Sequence, residues 1–433
     1  MPLFPFNKPL GTCLDRLWPR ELWPLALSVS VQLTLALFFG HLIDMRVNMA
    51  AGFLTAAGQN PYLAHDLSAV FHSWLFKEFT TIGYPPPWPL LLALIYKCVY
   101  AAAPGLLAYN LAIKLPIIAA NIWLAFLVKE VLGKLGVSAR ATRSAWIFML
   151  FNPFILYATA AWGQIDSIVA ALSLAALILL DSGKYGRSAF LLGLAIAFKP
   201  IALPLVPVAV MYLLSRSWRQ AAWFGFVFSM VVLFSCAGPF IVFGWDPAVI
   251  VRNWNVHFIA GGGMSFLAFL EFIPNASRLN GQWQLAGFLW VPALCLAIFF
   301  LRGGIGGLDD LLKKSAALLL VFFLTRSWLS EPNIVVLIPF LVIAVSGGGL
   351  PRPLLHAVWV LTLAFSIFNA SVALVFFPGM PHIMEQLLRI AGDCRMERLI
   401  ARSAVVTAWF IAGWAIVAAC MKKGPLSAMA AQR

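Results

Sequence analysis

Asp44 stands where the first long apolar stretch of the chain runs out, and two stiff aromatic segments follow it, Gly58-Gln59-Asn60-Pro61-Tyr62 and Gly83-Tyr84-Pro85-Pro86-Pro87. A carboxylate at a membrane surface can take a proton from a hydroxyl, and proline-rich turns stiffen the loop that positions it. The plainer alternative is an aspartate that caps a helix or meets interfacial water. Farther on, Trp162-Gly163-Gln164-Ile165-Asp166-Ser167 gathers an indole, an amide and a carboxylate at a second helix boundary, where Asp166 suits either an N-cap or a substrate contact. Phe198-Lys199-Pro200 places one ammonium at an interrupted helix, either snorkelling to water or partnering a lipid phosphate. In Thr325-Arg326-Ser327-Trp328-Leu329-Ser330-Glu331-Pro332-Asn333 an Arg326 to Glu331 ion pair is one reading. The other is recognition, with guanidinium on phosphate and carboxylate plus amide on sugar hydroxyls. Trp254 and His257 precede Gly261-Gly262-Gly263, as part of an interfacial aromatic belt or as a sugar-stacking element beside a glycine hinge.

The elements that must position these residues follow from composition. With 62% hydrophobic and only 11% charged residues over 433 positions, the chain cannot cover itself with a soluble protein's polar shell. Mean hydropathy is +0.91. Apolar stretches of roughly 17 to 25 residues recur from end to end, each able to cross a hydrocarbon core about 30 Å thick as a helix. The expected fold is all-α, a polytopic integral membrane protein of about twelve transmembrane helices in a single domain. The net charge of +14 sits in connectors between apolar stretches, where it orients helices; nucleic acid is not implied. Cys13, Cys98, Cys236, Cys295, Cys394 and Cys420 are scattered, with neither zinc-site spacing nor disulfide density.

Basic connectors fix the orientation. Residues 1–22 carry Lys8, Arg16 and Arg20 ahead of an apolar stretch at 22–43, read as an uncleaved signal anchor with a cytoplasmic amino terminus. Asp44 then emerges outside, while Lys129, Lys134, Arg140 and Arg143 belong inside. Only one crossing fits between them, so of the two apolar stretches at 88–103 and 106–128 the shorter, proline-led one is expected to lie along or re-enter the outer face. The first extracytoplasmic loop is thus 44–105, with interfacial helices, and a second long one spans 244–284. Nearly every unusual polar residue falls on the outer side.

Read in order, Asp44, the 58–62 segment, Tyr84-Pro85-Pro86, Phe151-Asn152-Pro153, Trp162-Gly163-Gln164-Ile165-Asp166-Ser167-Ile168-Val169-Ala170 and Phe198-Lys199-Pro200 resemble the GT-C-fold glycosyltransferases. The nearest likeness is to prokaryotic polyprenyl-phosphate-mannose-dependent mannosyltransferases, more remotely to the catalytic subunit of GPI mannosyltransferase I. It covers about 43–207 well and the carboxyl half only through the Glu331 region. The resemblance implies an inverting transfer of a sugar, mannose by family weight, from a polyprenyl-phosphate donor to a lipid, glycan or protein acceptor. It places that reaction on the extracytoplasmic side of the inner or plasma membrane, serving glycolipid or cell-envelope synthesis. An aspartate of the first outer loop is the base in such enzymes, a role that carries over onto Asp44. Lys199 and Arg326 are then the candidates for the donor phosphate, and Tyr62, Tyr84, Trp162, Gln164, Asp166, Trp254, His257, Glu331 and Asn333 for sugar or acceptor. No cofactor is expected. Asp44-Met45-Arg46 offers one carboxylate where eukaryotic relatives carry a paired-acid motif, which argues against a bound divalent metal. The competing class is a transporter or flippase of a lipid-linked sugar, and a third is a non-catalytic scaffold. Polar residues at broken helices also mark transport pathways, but here they gather on one face and no paired repeat halves are visible.

Overall fold

The first apolar stretch breaks sooner than its composition suggests. In the computed structural model, which describes residues 19–249, 262–267, 287–301 and 304–421, helix α1 (Pro19–Phe38) ends before Asp44 and a separate helix α2 (Leu42–Ala56) begins after a three-residue break. Gly40 makes this break possible: a Cβ there would lie 2.7 Å from Asn110 Oδ1 and 2.9 Å from the Phe377 carbonyl, too close for any side chain. Asp44 therefore sits in the first turn of α2, not at the end of a spanning helix.

Helix α3 (Pro87–Ile95) runs into a π-helical turn, Tyr96–Tyr100. Together they extend about 21 Å at 1.5 Å per residue, less than a bilayer core. The first loop packs around its own apolar cluster, in which Met45, Tyr62, Phe71, Trp88 and Tyr109 are buried. Then come α4 (Leu106–Lys134) and α5 (Ala139–Phe151). After α5, Asn152 caps a proline-led turn through the Ile155 N–H at 3.0 Å, and a π-helical segment, Leu156–Ala161, follows. Next are α6 (Asp166–Asp181), α7 (Tyr185–Phe198), α8 (Leu205–Leu214), α9 (Trp218–Phe243), α10 (Trp290–Phe300) and α11 (Leu308–Thr325). A 3₁₀ segment, Glu331–Val336, leads into α12 (Ile338–Ser346), then α13 (Arg352–Phe368), α14 (Pro381–Asp393) and α15 (Arg395–Met421). The described strands are two residues each, β1 (Gly262–Gly263) parallel to β2 (Trp328–Leu329).

Among the described residues, five helical stretches, Glu21–Phe38, Leu106–Lys134, Ala139–Ala161, Trp218–Phe243 and Arg395–Met421, are long and apolar enough to cross a membrane. Shorter apolar helices accompany them because proline and polar breaks interrupt the apolar runs. Helix α9 is apolar all round yet has none of its apolar stretch buried, as a lipid-facing helix should. This is an all-helical, polytopic integral membrane protein.

Helix direction gathers the site. Lys129 near the end of α4 pairs with Glu21 at the start of α1 (2.6 Å), while Asn110 near the start of α4 bonds the Ala36 carbonyl at the end of α1 (2.7 Å). The two helices are antiparallel, and Asp44 and Lys129 lie at opposite ends. Helix α5 and its π-helical extension return toward the Asp44 end and deliver Trp162; α6 leaves from Asp166; α7, packed on α6, comes back to Lys199. The Glu331 segment packs on α6 and on the π-helical segment at the same end.

Candidate active site

Asp44 is held by three side chains drawn from two helix breaks. The Trp162 indole Nε1–H and the Gln164 amide (2.9 Å) both donate to its Oδ2, and His41 Nδ1 lies 3.0 Å from the same oxygen. His41 is the N-cap residue of α2, and its ring stacks on Trp162 with centroids 4.2 Å apart. The His41 backbone N–H donates to the Trp162 carbonyl at 3.1 Å. Burial opposes ionisation of Asp44, but the His41 charge and the hydrogen bonds from His41, Trp162 and Gln164 outweigh it, so the carboxyl is held below its ordinary value. About 30% of the side chain stays accessible, enough for a hydroxyl to reach it.

A depressed carboxylate favours the folded state at pH above its unfolded pKa of about 3.9 and loses that contribution as pH falls through its lower folded value. His41→Phe keeps an aromatic ring beside Trp162 but removes the charge and the hydrogen bond. The acid limb of the activity profile is expected to move up in pH, as measured by transfer rates across an acid titration. An unmoved limb would mean that His41 does not hold Asp44 ionised.

Gln164 links this carboxylate to the next group. Its carbonyl accepts from the Tyr84 hydroxyl at 2.6 Å, and Lys199 Nζ lies 3.5 Å from the same oxygen. Burial, then the charges of Asp44 and Asp166, push the Tyr84 phenol well above its usual range, so it remains a donor. Lys199 also sits 5.4 Å above the Tyr84 ring. Tyr62 is buried, donates its hydroxyl to the Tyr84 carbonyl at 3.0 Å and stacks on Phe240, so it supports the loop from below.

Two expectations change here. Asp166 is not an N-cap: that position belongs to Ile165, and the fully buried Asp166 carboxylate pairs with Lys199 at 2.8 Å. Lys199 is thus not a lone cation: it shares its charge with Asp166 across two helix ends and keeps about 14% of its side chain accessible. Similarly, the Glu331 carboxylate accepts from Asn369 (3.0 Å) and Ser371 (2.9 Å) rather than from Arg326, and Arg402 bonds Asn369 Oδ1 at 2.8 Å. Arg326 lies over the Phe322 ring at 4.9 Å, where burial brings its guanidinium down to about 10, still a cation at neutral pH. Asn333 is buried, and its Oδ1 has no hydrogen-bond partner among the described residues. Tyr157 stands between the clusters, edge-on to Trp162 and within electrostatic reach of both Glu331 and Asp44. Trp254 and His257 lie outside the described residues. Among the described residues, no three His, Cys, Asp or Glu side chains come together as a metal site needs.

Gly163 is the pivot of the Trp162–Gln164 turn. Its φ is +99°, and a Cβ would lie 2.5 Å from the sulfur of buried Met45. Gly163→Ala is expected to lower stability by about 1–3 kcal/mol through backbone strain, and to reduce transfer by displacing two of the Asp44 donors. Thermal unfolding in detergent checks the first effect; an unchanged midpoint would remove this role.

His41, Asn369, Ser371 and Arg402 escaped the sequence reading. A histidine three residues ahead of an aspartate at a helix start was a visible signal; the other three are ordinary polar residues that only folding brings together.

No protein-family model matches the chain, and no curated protein does. The crystal structure of ArnT from Cupriavidus metallidurans in the apo state superposes with a TM-score of 0.50 at 15% identity, covering 92% of this chain and 76% of that one. ArnT from Cupriavidus metallidurans bound to undecaprenyl phosphate gives 0.46 at 14% identity, with the same coverage. At such identity the likeness speaks for architecture alone, and on that ground the chain has the polytopic GT-C membrane fold of ArnT.

Proposed function

We propose that this chain is a membrane glycosyltransferase that moves a sugar from a polyprenyl-phosphate donor to an acceptor hydroxyl on the extracytoplasmic face, with Asp44 as general base. One observation carries the reading: an accessible carboxylate, held by two donors with His41 beside it, stands one amide away from the Lys199–Asp166 pair. The GT-C fold and the resemblance of residues 43–207 support it.

Asp44 takes the acceptor proton as the hydroxyl oxygen bonds to the anomeric carbon. The bond from that carbon to the phosphate oxygen breaks on the opposite face, and the phosphate leaves with the electron pair. Positive character builds on the sugar and negative charge on the departing phosphate, so a base on one side and cations on the other match the demand. Lys199 and Arg326 are the cations assigned to the phosphate; Tyr84 and Gln164 orient sugar hydroxyls, Asp166 holds Lys199 in place, and Glu331 with Asn333 completes the acceptor side. Mannose is the sugar that the resemblance favours, and the acceptor is a glycolipid, a glycan or a protein. No nucleotide or metal is assigned a role.

Purified protein in liposomes, given a synthetic polyprenyl-phosphate mannose and membrane glycolipid extract, tests this. Formation of a new glycoside is expected. Donor that crosses the bilayer chemically intact would instead favour a transporter.

A further inference from the structure

Lys114 is fully buried in the apolar run of α4, an expensive place for an ammonium. Its described partners are two main-chain carbonyls, those of Phe39 and of Ala161 (2.9 Å). One turn earlier, Asn110 donates to the carbonyls of Ala36 (2.7 Å) and Phe39 (2.8 Å). Phe39 lies in the break between α1 and α2, two residues before His41. Ala161 closes the π-helical segment, one residue before Trp162. Lys114 thus ties together the two chain ends that carry two of the three groups on Asp44. Its stem also runs beneath Gly163, where a Cβ would lie 3.0 Å from Lys114 Cε.

Capping alone does not call for this choice. Helix ends need donors for their last carbonyls, but these ends belong to two different elements. A serine or asparagine reaches one of them; the four-carbon stem of a lysine reaches both and carries three donors.

We infer that Lys114, assisted by Asn110, is the positioning residue of the site, holding the α1–α2 break against the Trp162 turn so that His41 and Trp162 meet Asp44 together. This rests on Asp44 being the base. Lys114 touches no substrate; it acts through the two donors.

Transfer kinetics of Lys114→Met, with synthetic polyprenyl-phosphate mannose and reconstituted protein, test the inference. Turnover should fall about 100-fold, the scale of a 1 Å misplacement, with the donor KM little changed. The acid limb should also move up in pH, because Asp44 loses aligned donors. The other titratable groups around Asp44 are His41 on its own element, Tyr84 from the outer loop, Tyr157 from the π-helical segment, and Asp166 with Lys199 beyond Gln164; of these, His41 is the one that Lys114 holds in place. A lysine that served only bulk stability would lower the amount of folded enzyme and leave the limb where it was. Wild-type turnover and limb in folded Lys114→Met would overturn the inference. Should that variant not fold, Asn110→Ala decides, with the same two shifts expected at smaller size and unchanged values overturning it. Asp44→Asn run alongside separates the two ideas. If that variant still transfers sugar, the base assignment fails and takes the inference with it; if it is inactive while Lys114→Met is unaltered, positioning alone fails.

Discussion

Replacing Asp44 with asparagine is expected to lower turnover by about 10²- to 10⁴-fold, the range for losing a positioned general base. The geometry makes the substitution informative. Asparagine keeps an oxygen where Asp44 Oδ2 sits, so Trp162 and Gln164 can still donate to it and the α2 break need not move. What is lost is the charge and the capacity to take a proton. Donor KM should change little, because the base acts in the transition state and the phosphate is bound elsewhere. Measured as single-turnover transfer, a fall confined to the chemical step supports the assignment. Transfer within a few-fold of wild type would sink it.

Lys199→Ala is the second large effect, and it divides into two parts. The Asp166 carboxylate is fully buried against the ammonium, so removing one partner strands a buried charge and is expected to destabilise the protein by about 3–5 kcal/mol. Catalysis should suffer as well, because the cation assigned to the departing phosphate is gone. The double variant Lys199→Ala/Asp166→Ala separates the parts. With both charges removed, thermal stability should recover most of the way, since replacing a buried pair is often nearly neutral. Transfer should not recover. A double variant that regained both would reduce the pair to a structural tie between α6 and α7, and Lys199 would leave the reaction.

The pairing also explains what the sequence could and could not tell. Asp44, Gln164, Asp166 and Lys199 were legible because each is a polar residue at a helix break in a chain with few of them. Their common end of the molecule was legible too, because basic connectors orient the helices. Who meets whom was not. Asp166 and Lys199 are separated by two antiparallel helices, and their contact depends on where α6 starts and α7 stops. Arg326 and Glu331 looked like natural partners at a spacing of five. The chain instead passes through β2 between them and enters a 3₁₀ segment at Glu331, whose carboxylate finds Asn369 and Ser371. The end of the first helix was misplaced for a related reason. Phe38, Phe39 and Gly40 read as a continuing apolar run, and only the close approach of Asn110 and Phe377 reveals why the glycine must be there.

Lys114 was equally visible as a charge inside an apolar stretch, yet its meaning depends on the α1 break and the π-helical segment lying on the same face of α4. Asn121, farther along that helix, continues the pattern with hydrogen bonds to Gln32 (2.8 Å) and Thr159 (2.7 Å). One helix thus carries a polar stripe that fixes α1 and the extension of α5 against each other, and the Asp44 site forms at the end of that seam.

A single displacement at the anomeric carbon with Asp44 as base, as proposed, is tested most directly by the configuration of the product. Purified protein is given a synthetic donor of defined anomeric configuration and an acceptor glycolipid, and the glycoside is examined by NMR. An inverted anomeric centre is expected, with one polyprenyl phosphate released for each sugar transferred. A retained configuration would contradict it.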